Sequence, residues 1–95
     1  MASKPIIIEA FIGQPPCPGC LELEELCREL TTRLGERLEC RMYKGAEGRE
    51  RMETLGLKMV PALVIENLIR IEGVCPGRET LLKALREFGL DEKER

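Results

Sequence analysis

The segment Cys17-Pro18-Gly19-Cys20 stands where an apolar, β-branched run gives way to a leucine-rich stretch of helical period. No other feature constrains the fold as tightly. Residues Ile6-Ile7-Ile8-Glu9-Ala10-Phe11-Ile12 form a nearly continuous apolar run of the kind found in a strand covered on both faces. From Cys17 the period changes, and Leu23, Leu26, Cys27, Leu30 and Leu34 recur at three- and four-residue steps as one helical stripe. Proline fits the first helical position, where its missing N–H had no partner, so Cys17 is expected at the N-cap and Cys20 in the first turn. A thiol at that place feels the helix's positive end and its free N–H groups, which favour thiolate and lower the pKa from about 8.5. Cys17 is therefore the expected nucleophile. Cys20, three residues on and facing the same side, is the expected resolving thiol, able to attack a mixed disulfide on Cys17.

The remaining pattern alternates strands and helices. Leu38, Cys40 and Met42 alternate with Glu39, Arg41 and Tyr43, the period of a strand with one face inward. Glu47 to Leu55 reads as a short helix that buries Met52 and Leu55, exposes its arginines and glutamates, and ends at Gly56. Ala62–Ile65 and Leu68–Glu72 read as a hairpin about Glu66-Asn67, with the second strand at a sheet edge guarded by Arg70 and Glu72. Leu81, Leu82, Leu85 and Phe88 mark a last helix over Glu79 to Phe88, closed by Gly89. The order is β-α-β-α-β-β-α, with the first two strands parallel by the crossover rule and the last two antiparallel.

Composition narrows the function classes. At 95 residues the chain supports a single domain, residues 1–95. A net charge of −2 and only Phe11, Tyr43 and Phe88 as aromatics argue against a nucleic-acid surface. No apolar run is long enough to span a membrane, and Met1-Ala2-Ser3-Lys4-Pro5 leads into too short an apolar stretch for a secretory signal. Five cysteines cannot all pair internally, which fits a reducing, cytoplasmic setting with one working dithiol. Histidine is absent, which removes Cys-His catalysis and histidine metal sites.

The element order, with Cys17-Pro18-Gly19-Cys20 after the first strand and Met59-Val60-Pro61 before the third, resembles the minimal thioredoxin fold. The likeness covers nearly the whole chain and is closest to small prokaryotic thioredoxin-like proteins of glutaredoxin size. It implies an α/β fold with a four-stranded mixed sheet flanked by three helices. By the same likeness Pro61 is expected to be cis, and the Val60 backbone to pair with an extended substrate chain opposite Cys17. Pro16, Pro18, Gly19, Met59 and Cys75 are expected to complete the substrate-binding surface. The chain departs from the family in having no tryptophan before the first cysteine, and in carrying Glu72-Gly73-Val74-Cys75-Pro76-Gly77-Arg78 where glutaredoxins hold glutathione.

Residues and resemblance together point to a thiol-disulfide oxidoreductase without cofactor. It is expected to be a monomer that acts on disulfide-containing proteins or small molecules and is recycled by a disulfide reductase. The alternatives are a module in which Cys17 and Cys20 hold zinc, copper or another soft ion, and an interaction protein that keeps the scaffold without a redox cycle. Cys27 and Cys40 read as buried structural thiols. Cys27 lies about 10 Å from Cys20 along an intact helix, too far for a disulfide. Cys75 reads as a loop thiol, with a third redox role as the functional alternative. Glu9 shares the parity of Ile7 and Phe11, and is expected at a solvent-facing strand end rather than as an acid beneath the dithiol.

Overall fold

The computed structural model describes residues 4–90, so the N-terminal residues used in the signal-peptide argument lie largely outside it. Strand β1 (Ile6–Ile12) leads through a loop into helix α1 (Pro18–Leu34), then β2 (Leu38–Lys44), α2 (Arg49–Leu55), β3 (Ala62–Ile65), β4 (Ile69–Glu72) and α3 (Arg78–Arg86). The four strands form one mixed sheet in the order β2-β1-β3-β4. β1 runs parallel to β2 and antiparallel to β3, and β3 pairs antiparallel with β4. The minimal thioredoxin-like α/β architecture is thus present, with the hairpin strand β4 at an edge.

Strand alternation divides the interior into two. Ile8, Ala10 and Ile12 of β1 join Leu63 and Ile65 of β3 in a core with the α1 stripe and with Leu81, Leu82 and Leu85 of α3. Phe11, Ala62 and Val64 point the other way and meet Leu55 and Leu57 at the end of α2. Phe11 stacks on Tyr43, ring centroids 4.8 Å apart. Gly48, at the turn before α2, is wedged here: an added Cβ would stand 2.9 Å from the Tyr43 side chain and 3.0 Å from Phe11.

Several boundaries move from their expected places. A 3-10 turn, Gly45–Gly48, occupies the first residues assigned to the second helix, so α2 starts at Arg49. Gly56 caps it at φ 74°, as its position predicts. β4 begins at Ile69, because Glu66 (φ 50°) and Asn67 (φ 61°) form a tight turn closed by the Leu68 N–H to the Ile65 carbonyl at 2.9 Å. Leu68 is left outside the strand and exposed. A glutamate at positive φ is held there by two bonds to Ile7: its N–H donates to the Ile7 carbonyl at 2.9 Å, and its carboxylate accepts the Ile7 N–H at 2.7 Å.

Glu9 corrects the sequence reading more sharply. It is buried, 3% exposed, on the α2 side of the sheet. The Arg51 guanidinium grips its carboxylate through two bonds of 2.8 and 3.0 Å, and the Tyr43 hydroxyl donates a third at 3.1 Å. Arg51 also donates to the Asn67 side-chain oxygen at 2.8 Å. The charged run of α2 is therefore not wholly a solvated face, since Arg51 turns inward to meet a carboxylate from β1. These donors hold the Glu9 carboxyl below its ordinary value, Arg51 contributing most, against the opposing effect of burial.

Candidate functional site

The end of β1, the start of α1 and the segment before β3 converge on the Cys17-Cys20 pair. Cys17 is the N-cap of α1, with extended backbone at φ −82° and ψ 171°, and Pro18 opens the helix. Its Sγ accepts the Cys20 N–H at 3.2 Å, and its carbonyl takes the Leu21 N–H at 3.0 Å. The Cys17 Sγ lies 2.8 Å from the Cys20 Sγ, and both cysteines are free thiols. The Cys20 thiol lowers the Cys17 pKa most, and backbone N–H groups of the first turn add to it, against partial desolvation. No acidic residue in that turn opposes the effect.

The two sulfurs differ in access. Cys17 is half-buried, whereas Cys20 is wholly buried in the core beside the α1 stripe. The Gly13 N–H donates to the Cys20 Sγ at 3.3 Å. The sequence reading did not single out Gly13. Its only signal is a glycine ending a strand just before the cysteine loop. A Cβ at Gly13 would meet the Val60 side chain at 3.3 Å and the Cys20 Sγ at 3.7 Å, so the bare backbone lets three segments close on one another.

Gly19 faces Pro61 just as closely: an added Cβ would stand 3.3 Å from the proline ring. The Val60–Pro61 peptide bond is cis, and so is Gln14–Pro15 in the loop leading to Cys17. The segment before Pro61 is fixed from outside: Glu72 accepts the N–H groups of Lys58 and Met59 at 2.8 and 3.3 Å, and the Pro61 carbonyl accepts the Gly73 N–H at 2.8 Å. Met59, Val60 and Val74 remain exposed. Cys17, Gly19, Cys20, Val60 and Pro61 thus share one neighbourhood, with Met59 beside Gly73. Pro16 and Pro18 lie on its exposed rim.

Cys75 is half-buried against the main core, against which Cys17 also packs, and its thiol is directed to the Pro76 carbonyl at 3.4 Å. Burial and the charge of Glu22 raise its pKa. Among the described residues, no group of three or more His, Cys, Asp or Glu side chains is placed to hold a metal ion, and no helix is long and apolar enough to cross a membrane.

Comparisons with known proteins bear on this geometry. Residues 8–86 match a family model described as a thioredoxin domain. A probable thioredoxin of Methanothermobacter marburgensis is 32% identical over 80 residues, spanning 84% of this chain and 92% of that protein. Among solved structures, a thioredoxin-2 described as a component of malaria parasite protein secretion machinery superposes with a TM-score of 0.77 at 14% identity, covering 92% of this chain and 86% of the other. A thioredoxin from Thermus thermophilus gives 0.68 at 18% identity, covering 94% and 77%. At those identities the two structures bear on fold alone.

Proposed function

The chain belongs to the thioredoxin family, and on that premise we propose that it is a thiol-disulfide oxidoreductase working through Cys17 and Cys20. The observation that carries this reading is the contact of the two sulfurs at a helix N-terminus, one accessible with a lowered pKa and the other enclosed. The Cys17 thiolate attacks one sulfur of a substrate disulfide, breaking the S–S bond and releasing the first substrate thiol. Cys20 loses its proton and attacks the Cys17 sulfur, releasing the second thiol and leaving a Cys17–Cys20 disulfide. Two protein thiols are oxidised and one substrate disulfide is reduced. A disulfide reductase returns the electrons.

Val60 and Pro61 orient the substrate chain, while exposed Met59 offers an apolar patch and Pro16, Pro18 and Gly19 shape the turn around the nucleophile. Partner proteins are therefore those with a disulfide in an accessible, extended, apolar segment. The described residues form one sheet with its helices, which supports reading the chain as a single domain.

An equilibrium redox titration tests the proposal, with alkylation and mass spectrometry following the two thiols and Cys17→Ser and Cys20→Ser as controls. The expected result is a reversible two-electron transition between about −180 and −300 mV. Failure of the pair to form a disulfide, or a bound metal that blocks alkylation, overturns it in favour of a metal-binding module.

A further inference from the structure

A second pair of thiols lies farther along the same helix. Cys27, on the inward stripe of α1, is 1% exposed, and Cys40, on β2, is half-buried and packs against the same core. Both side chains pack in one core and line one cleft, close enough that each shifts the other's pKa. β2 is an edge strand of the sheet, and none of its residues after Leu38 is fully buried. A cleft of about 420 Å³ opens there, lined by Cys27 and Cys40 with Met42, Glu24, Arg28 and Lys44. Cys40 is therefore reached from solvent, against the expectation of a fully buried structural thiol.

We propose that Cys27 and Cys40 form a second redox site, in which Cys40 reacts with low-molecular-weight disulfides entering the cleft and Cys27 closes a Cys27–Cys40 disulfide. The Cys40 thiolate attacks one sulfur of the small disulfide, whose S–S bond breaks to release one thiol and leave a mixed disulfide on Cys40. Cys27 then gives up its proton and attacks the Cys40 sulfur, expelling the second thiol. Two protein thiols are oxidised as one small disulfide is reduced to two thiols.

Three observations support this site, two for the roles of the thiols and one for the ligand. The small molecule meets Cys40 first, because Cys40 is half-buried while Cys27 is only 1% exposed. The proximity of the two thiols favours thiolate on Cys40 and lowers its pKa, while the same proximity and burial keep Cys27 protonated. At the cleft, Glu24 is bonded by both Lys44, at 2.9 Å, and Arg28, at 3.4 Å, so two cations face one anion. That balance suits a small disulfide bearing carboxylates.

The test uses the Cys17→Ser/Cys20→Ser double variant, so its outcome does not depend on the first dithiol. The variant is incubated anaerobically with oxidised glutathione, quenched in acid and mapped by mass spectrometry without reduction. The expected product links Cys27 to Cys40, with two glutathiones released for each link. Adding Cys27→Ser should stop the reaction with glutathione held on Cys40, and adding Cys40→Ser should leave Cys27 unmodified. Far-UV circular dichroism selects the variants that keep the native fold, and either one suffices. Glutathione that remains on Cys40 while Cys27 is intact, a link from Cys27 to Cys75, or a native protein whose Cys40 does not react would each overturn the proposal.

Discussion

Cys17 and Cys20 meet within one turn of α1, whereas Cys27 and Cys40 meet only because a helix has been laid across a sheet. Each pair nevertheless joins a half-buried thiol to a buried one, and in each the contact favours thiolate on the more accessible sulfur. The difference lies in what surrounds the sulfurs. Cys17 also receives the free N–H groups of a helix N-terminus and stands beside Val60 and Pro61, so a protein chain has something to lie against. Cys40 sits in a cleft at the sheet edge, flanked by charged side chains, with room for a small molecule. Paired thiols supply the chemistry in both places. The surrounding backbone and surface decide what reaches them.

The comparison breaks first at turnover. Cys17→Ser is expected to reduce catalytic reduction of a protein disulfide by roughly 10³-fold or more, because no other sulfur holds the nucleophile's position. Cys20→Ser should stop multiple turnovers yet accumulate a mixed disulfide on Cys17, visible by mass spectrometry. Equal activity in wild type and Cys17→Ser would show that the second pair can replace the first.

A smaller effect separates the thiols by access and charge. In the native protein at pH 7, iodoacetamide should modify Cys17 first, Cys40 next and Cys27 last. The rates of Cys17 and Cys27 should differ on the order of 10²-fold, because the thiolate is the reacting form and burial holds Cys27 protonated. In denaturant the gap should collapse. Its persistence there would place the difference in local sequence, not in the fold.

The two pairs also differ in how readily they are read from sequence. Cys17 and Cys20 are separated by one helical turn, so local geometry alone brings them together, and Pro18 marks where the helix starts. For Cys27 and Cys40, the helical stripe and the strand alternation each give an inward direction. Neither tells how far along the sheet the helix sits. That alignment follows from the register of β2 against β1, Ile8 opposite Cys40, and from packing of α1 over both strands. The element order and both core faces were legible because hydrophobic period carries them. Gly13 was not, since its part is played by a backbone N–H and by the side chain it lacks. Leu68 reads as part of β4, since an apolar residue beside alternating isoleucines has the pattern of a strand, whereas the turn geometry leaves it in the loop.

Glu9 supplies the smallest expected effect on sulfur chemistry and the clearest control. Its strand parity was legible, but its partner Arg51 comes from α2, far along the chain, and only the fold brings the two together. The pair lies on the face of the sheet opposite the core that holds Cys20, Cys27 and Cys40. Arg51→Ala leaves a buried carboxylate with Tyr43 as its remaining side-chain donor, and should lower the thermal midpoint by roughly 5–10 °C. The dithiol potential should stay the same, since no sulfur is touched. Acid should act through the same carboxylate. Its native pKa is depressed below the ordinary carboxyl value of 4.5, so its contribution is fully present above that value and is lost as pH falls through the lower native pKa. The wild type should therefore lose more stability than Arg51→Ala between neutral pH and that acid range, measured by denaturant titration at each pH. Parallel losses in the two proteins would mean that Arg51 does not set the acid response of Glu9, and a shifted redox potential in Arg51→Ala would mean that the two faces of the sheet do not act independently.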